Sequence, residues 1–280
     1  MFQVSQWLPS MGRRSCDEMH RGVGLRGHRG LLQLQSVSRS VTGRNRSHNE
    51  DAVYAPHVGH TVLIADGMGG APGGGDASRI ATSSIPRELD ALLAGNALVP
   101  LSVREMFHRS ANAAADAMIV WSRQFPDKRR MGTTYAIASV IEDVVYTTHL
   151  GDCRIYYLPR HGRCKRLTKD QTFVQDLIDS GLITEDRARR HELRHVVMKR
   201  LGAEQMEIDQ FDCGAVVPHE GDRLVLVSDG IWGSVPDESI YKICSSDSTL
   251  EDAADELVLA AMANGALDDA TCIVAEVVKK

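Results

Sequence analysis

The chain has no apolar stretch approaching the roughly 18 residues that a membrane-crossing helix needs, so no helix of it is expected to span a bilayer. It has no CxxC pair. Its six cysteines, Cys16, Cys153, Cys164, Cys213, Cys244 and Cys272, are dispersed, which disfavours a zinc site or a disulfide framework and fits a reducing cytoplasm. It lacks the basic excess that phosphate-backbone affinity demands: a net formal charge of −5 argues against a nucleic-acid binder while leaving a local basic patch open. No internal repeat is evident. What is there is 280 residues, 43% of them hydrophobic, enough for the core of one large domain or two modest ones.

The first 30 residues differ from the rest. Arg13, Arg14, Arg21, Arg26 and Arg29 stand against Asp17 and Glu18, interleaved with glycines, without the apolar core of a secretory signal peptide. This reads as a flexible basic extension. A disordered tail, an upstream start codon and an electrostatic docking arm all remain open as its meaning.

From residue 31 the hydrophobic pattern organises itself. Residues 31–38 alternate as a first strand, a polar loop follows, and a second strand runs from Thr61 to Asp66. A glycine-rich turn over 67–75 opens helices at about 76–93 and 102–124. Residues 133–141 and 143–150 read as a hairpin turning at Glu142-Asp143, and 154–158 as a further strand. The stretch 168–202 is charged and helically spaced, like an inserted flap. Strands at 211–217 and 222–228, a helix at 249–263 and a strand at 271–278 complete the chain. Helices and antiparallel strands come in separate blocks, so the class is α+β.

Five acidic clusters are spread over that pattern: Asn49-Glu50-Asp51, Asp66-Gly67, Gly151-Asp152, Ser228-Asp229-Gly230 and Asp268-Asp269. Most sit at an end of an apolar, β-branched run, so their carboxylates point out of a sheet edge. Carboxylates gathered there repel one another and are costly to desolvate unless cations neutralise them, which implies hard divalent metal held by oxygen, magnesium or manganese rather than zinc. The glycine run lacks a Gly-Lys-Ser/Thr ending, so a nucleotide-binding loop is disfavoured. His191 and His195 lie four apart without a third ligand, which favours solvated or flap-packing roles over zinc. Cys153 lies beside an acid that raises a thiol pKa, so it is not expected to be a nucleophile.

The order of the motifs Arg46-Ser47-His48-Asn49-Glu50-Asp51, Asp66-Gly67-Met68-Gly69-Gly70, Gly132-Thr133-Thr134, Gly151-Asp152-Cys153-Arg154, Ser228-Asp229-Gly230 and Asp268-Asp269-Ala270-Thr271 resembles the metal-dependent serine/threonine protein phosphatases of type 2C, bacterial type, over about residues 31–280. The resemblance implies a four-layer α-β-β-α sandwich with two antiparallel sheets face to face. It implies two manganese or magnesium ions bridged by Asp66, with the Gly67 carbonyl and, through water, Glu50 serving one and Asp229 and Asp268 the other. Arg46 would hold the substrate phosphate, Arg44 facing solvent. Asp51 and Asp269 would orient the loop or bound water without touching metal. Asp152 resembles a ligand of a third, weaker ion, although Gly233 stands where many relatives carry a further acid. Met68 stands where animal relatives have a proton-donating histidine, and methionine cannot donate one.

The expected function is hydrolysis of phosphoserine and phosphothreonine esters on proteins by metal-activated water at a binuclear centre. The expected setting is a cytoplasmic monomer acting on phosphoprotein substrates of a bacterial Ser/Thr kinase, kinase-controlled secretion being one candidate pathway. The alternatives are a non-catalytic phosphoprotein-binding regulatory module on the same fold and, less favoured, a nucleotide-binding ATPase.

Overall fold

The computed structural model describes residues 30–68, 72–95, 101–245 and 247–280. All but the last residue of the basic extension expected over residues 1–30, and part of the glycine-rich turn, therefore lie outside the described residues. Twelve described strands form two antiparallel sheets. The first has the order β3-β1-β12-β11-β7-β8, built from β1 (Leu32–Val41), β3 (Val58–Gly59), β7 (Arg154–Leu158), β8 (Lys165–Arg166), β11 (Arg223–Val227) and β12 (Ala270–Lys279). The second has the order β10-β6-β5-β4-β2, with β9 also on β5. Its strands are β2 (Asp51–Tyr54), β4 (Thr61–Gly67), β5 (Gly132–Ile141), β6 (Val144–Leu150), β9 (Leu201–Gly202) and β10 (Asp212–Val216).

Three separate apolar clusters define the layers. Leu34, Ile155, Leu224, Leu226, Ile273 and Val277 of the first sheet meet Val62, Ile64, Ala136 and Val140 of the second. The opposite face of the second sheet, through Leu63, Tyr135 and Ile137, packs on α1 (Gly74–Leu93) and α2 (Val103–Gln124). The outer face of the first sheet, through Tyr156, Val225 and Val274, packs on α5 (Asp229–Trp232), α6 (Asp237–Ile243) and α7 (Leu250–Ala263). Strands covered on both faces need no polar alternation, which is why all ten residues of β5 are buried. The expected four-layer α-β-β-α sandwich is the observed one.

Local signals account for several boundaries. Ser102 caps α2 in a reciprocal box with Glu105, satisfying otherwise orphaned N–H groups. The β5–β6 hairpin turns on Glu142 and Asp143, both left-handed with φ of 50° and 65°, the backbone that a two-residue hairpin loop matched to strand twist requires.

The chain differs from expectation in several places. Residues 51–54, read as loop, form β2, because a four-residue strand gives too few alternations to detect. Residues 229–232 and 237–243 are short helices where none was expected. The flap is less helical than its spacing suggests: only α3 (Phe173–Asp179) and α4 (Glu185–Ala188) form. The flap's return limb is instead pinned by pairing of Thr172 with Val197, with Phe173 N donating to Val196 O at 2.9 Å and Met198 N to Gln171 O at 2.8 Å. Cys153, Cys164, Cys244 and Cys272 are free; Cys213 is disulfide-bonded, which the dispersed spacing did not foretell.

Candidate metal centre

Antiparallel pairing decides where the acidic clusters land. In the second sheet Asp51, at the start of β2, lies opposite Asp66 near the end of β4, which in turn faces Thr134 at the start of β5. In the first sheet Val227 ends β11 opposite Cys272 on one side and Arg154 on the other. Asp229 therefore leaves β11 at the same edge where Asp152 enters β7 and Asp268 and Asp269 enter β12. One end of the sandwich collects carboxylates from strands that are far apart in sequence.

These groups line a cleft of about 1000 Å³ whose floor includes Asp66, Asp152, Asp229 and Asp268 and whose outer wall is the flap. Burial raises the Asp66 carboxyl well above the usual carboxylate range, and the charges of Asp51, Asp229, Asp152 and Asp268 push it further. Asp51 is raised mainly by burial too, although it accepts a hydrogen bond from Ser228 Oγ at 2.8 Å. Asp152, 4% exposed, is raised by burial and by Asp229 and Asp170, with Arg154 opposing. Like charges held this close in a buried place disfavour joint ionisation.

The loop between β1 and β2 is held by Asp269, whose Oδ1 accepts from Gly43 N at 2.9 Å and Oδ2 from Glu50 N at 2.8 Å. Glu50 is fixed again through its carbonyl, which accepts from Gly67 N at 3.2 Å and from Ser78 Oγ at 2.5 Å. A side chain on Gly67 would place Cβ 2.5 Å from the Gly74 carbonyl oxygen and 2.6 Å from that of Glu50, so the crossing of strand end and helix start admits only glycine. Trp232 Nε1 donates to the Asp152 carbonyl at 2.9 Å. The Trp232 ring lies 3.7 Å under the Arg154 guanidinium, whose fork grips both oxygens of Asp170 at 2.9 and 2.6 Å.

Arg46 is at the cleft as expected, but engaged. Its Nε and Nη2 donate to the two oxygens of Asp268 at 2.7 and 2.6 Å, and Nη1 reaches Glu50 Oε2 at 3.3 Å. Arg44 points elsewhere, to the carbonyl of Met262 at 3.1 Å. His191 packs against Phe173 with ring centroids 6.2 Å apart and the rings tilted by 55°, a flap-packing role. Its neighbour was missed: His195 turns into the cleft, with Nδ1 3.8 Å from Asp229 Oδ2. Helical spacing could not reveal this, because residues 190–198 are not helical. Burial and the carboxylates of Asp66 and Asp152 push the Cys153 thiol up, which removes it as a nucleophile.

Among the described residues no group of three His, Cys, Asp or Glu side chains forms a ready-made metal cage. Two buried carboxylate oxygens nevertheless have no hydrogen-bond partner, Asp51 Oδ1 and Asp229 Oδ1. Unpaired anionic oxygens in a buried place are costly, and with donors that are all oxygen they fit a hard divalent cation. The orphaned atoms weigh more than the open spacing, because Arg46 holds Asp268 aside and a carboxylate can turn.

A sequence model of the family described as protein phosphatase 2C matches residues 42–258. The chain is 34% identical over 249 residues to the serine/threonine protein phosphatase PstP of Mycobacterium tuberculosis, covering 88% of this chain and 46% of that protein, so it spans about half the length of that relative. It is 31% identical over 251 residues to the serine/threonine phosphatase stp of Listeria monocytogenes, covering 87% of this chain and 96% of that protein. The catalytic domain of PstP, solved in complex with two manganese ions, superimposes with a TM-score of 0.75 at 31% identity, covering 89% of this chain and all of that one. The chain belongs to the protein phosphatase 2C family.

Proposed function

We propose that this protein hydrolyses phosphoserine and phosphothreonine esters on proteins, with manganese or magnesium as cofactor. The observation that carries the proposal is a buried floor of carboxylates, one of which, Asp229, keeps an orphaned oxygen, next to a guanidinium able to grip a phosphate. Asp66, Glu50, the Gly67 carbonyl, Asp229 and Asp268 would hold two ions, and Asp152 would help to hold a third, weaker one. Such ions supply an activated water and neutralise charge on phosphoryl oxygens.

The chain's own residues do the positioning. Arg46 exchanges Asp268 for two phosphoryl oxygens, which its planar fork matches equally well. That exchange frees Asp268 to serve as a ligand. Asp269 holds the loop bearing Glu50 and Arg46, and Asp51 accepts from Ser228 beneath Asp66. Met68 has no proton to give, so the leaving oxygen takes its proton from water. A binding module that had abandoned catalysis would be expected to lack some of these carboxylates; every position is filled. We further propose a monomer acting on the targets of a Ser/Thr kinase in the cytoplasm; the free cysteines accord with a reducing compartment, and the Cys213 bond does not.

The test is release of phosphate from a phosphothreonine peptide with manganese, compared with chelator and with Asp229→Asn. Turnover abolished by both treatments is expected. Folded protein that turns over with no divalent metal supplied, or fails with every metal, contradicts the proposal.

A further inference from the structure

The second half of the flap that walls the cleft is basic, in contrast to the chain as a whole. Residues 184–200 hold six Arg or Lys against three Asp or Glu, in a protein of net charge −5. Five arginines line the cleft: Arg46, Arg154, Arg166, Arg189 and Arg194. The first two are held by carboxylates, Arg46 by Asp268 and Glu50, and Arg154 by Asp170 and Asp237. Arg166 reaches Asp170 at 3.9 Å. Arg189 and Arg194 are exposed, and neither has an ion pair among the described residues. Glu185 shares that wall without coming within ion-pair distance of either.

The floor and the wall are thus divided by sign. A peptide whose phosphorylated residue enters the cleft brings its flanking residues against the flap, while the floor, with the cations proposed for it, is taken up by the phosphate to be removed. The side-chain cations left to receive a second anion stand on the flap. The Thr172–Val197 pairing and the hydrogen bond from Met198 N to Gln171 O tie the two limbs of the flap together at its base, and Arg189 and Arg194 line the cleft from the return limb.

We propose that Arg189 and Arg194 form an anion subsite that selects phosphopeptides bearing a second negative group, phosphate or carboxylate, beside the phosphate to be removed. The proposal rests on the phosphatase reading and names the substrate class it prefers. The subsite is exposed, so each ion pair is of modest strength and screened by salt. Two such pairs amount to a preference of about fivefold in kcat/KM.

The experiment compares three peptides on the full chain with manganese: one phosphothreonine in neutral surroundings, the same peptide with a second phosphothreonine, and the same peptide with glutamates in place of the second. Each protein's rates are divided by its own rate on p-nitrophenyl phosphate. Wild type is expected to prefer both anionic peptides about fivefold, less at high salt. The Arg189→Ala/Arg194→Ala double variant should lose the preference, the corresponding Lys variant should keep part of it, and Arg87→Ala, exposed on α1 outside the cleft lining, should retain it. A preference confined to the diphosphorylated peptide assigns the subsite to phosphate; one shared by the glutamate peptide assigns it to negative charge in general. Equal rates on all three peptides in wild type, or a preference that survives in the double Ala variant, overturns the proposal. If the protein hydrolyses neither the aryl phosphate nor any peptide, the catalytic reading fails by itself, and dissociation constants of the fluorescently labelled peptides decide the subsite by the same ratios.

Discussion

Replacing Asp269 with asparagine tests whether a single carboxylate holds the loop that carries Arg46 and Glu50. The side chain is 2% exposed and uses both oxygens on backbone donors, Gly43 N at 2.9 Å and Glu50 N at 2.8 Å. Asparagine keeps the shape but offers one acceptor, so its amide N–H2 must face one of those N–H groups. Hydrogen bonds to a charged group contribute about 1.5–3 kcal/mol each, and a buried donor left unmatched costs a similar amount. Removing a negative charge from the carboxylate cluster offsets part of this, since Asp269 is among the groups that raise Asp51. The net expected loss is about 2 kcal/mol, or roughly 4–8 °C in melting temperature for a domain of this size.

The assay is thermal unfolding in chelator and in manganese, followed by manganese titration. Because Asp269 also orients the proposed ligand Glu50, manganese affinity should fall on the order of tenfold. The control is the same chemical change in Asp255→Asn. That residue pairs with Arg39 at 2.6 Å while its side chain is 53% exposed, and the cost there should be under about 1 kcal/mol. If Asp269→Asn melts within about 1 °C of wild type, or no lower than Asp255→Asn, the loop is held by something else and the reasoning fails.

Asp66→Asn removes a carboxyl whose ionised form burial and four neighbouring aspartates oppose, and which the unfolded chain ionises freely; in chelator at neutral pH it should melt above wild type while manganese-dependent hydrolysis is lost, and a lower melting temperature in chelator would contradict the argument. Asp51, Asp66 and Asp152 all titrate above the ordinary carboxylate value, so in chelator the folded protein binds protons that the unfolded chain has released. Its urea midpoint should therefore fall as pH rises from about 5 to about 8, and manganese, which favours the ionised forms, should flatten or reverse that slope; a midpoint that rises across this window in chelator would refute the assignment. Gly67→Ala must push apart the Gly74 and Glu50 carbonyls, both backbone. A loss of about 2 kcal/mol or more, together with activity, is expected in denaturant titration and phosphate release; a variant as stable and active as wild type would mean that the crossing has slack.

The layered fold was legible because its strands are buried on both faces or alternate cleanly, and because runs such as Leu224–Val227 stop on Asp-Gly. The acidic clusters pointed to metal for the same reason: each sits where a buried strand ends, so a carboxylate there must face an edge. What the sequence could not disclose was which edge. Only the antiparallel register, which sets Asp51 opposite Asp66 and Val227 beside Cys272 and Arg154, places five separated segments at one end of the sandwich. The flap was misread as more helical for a related reason. Its second half makes long-range backbone pairs, Thr172 with Val197, and such pairing leaves no period in a short polar segment. His195, two residues before that pairing, lies toward Asp229, and Arg189 and Arg194 line the cleft. Residues on regular elements were thus predictable from local pattern, whereas those that face the reaction from the flap depend on contacts between segments some twenty-five residues apart. The proposed substrate preference is written in the part of the chain that periodicity reads least well.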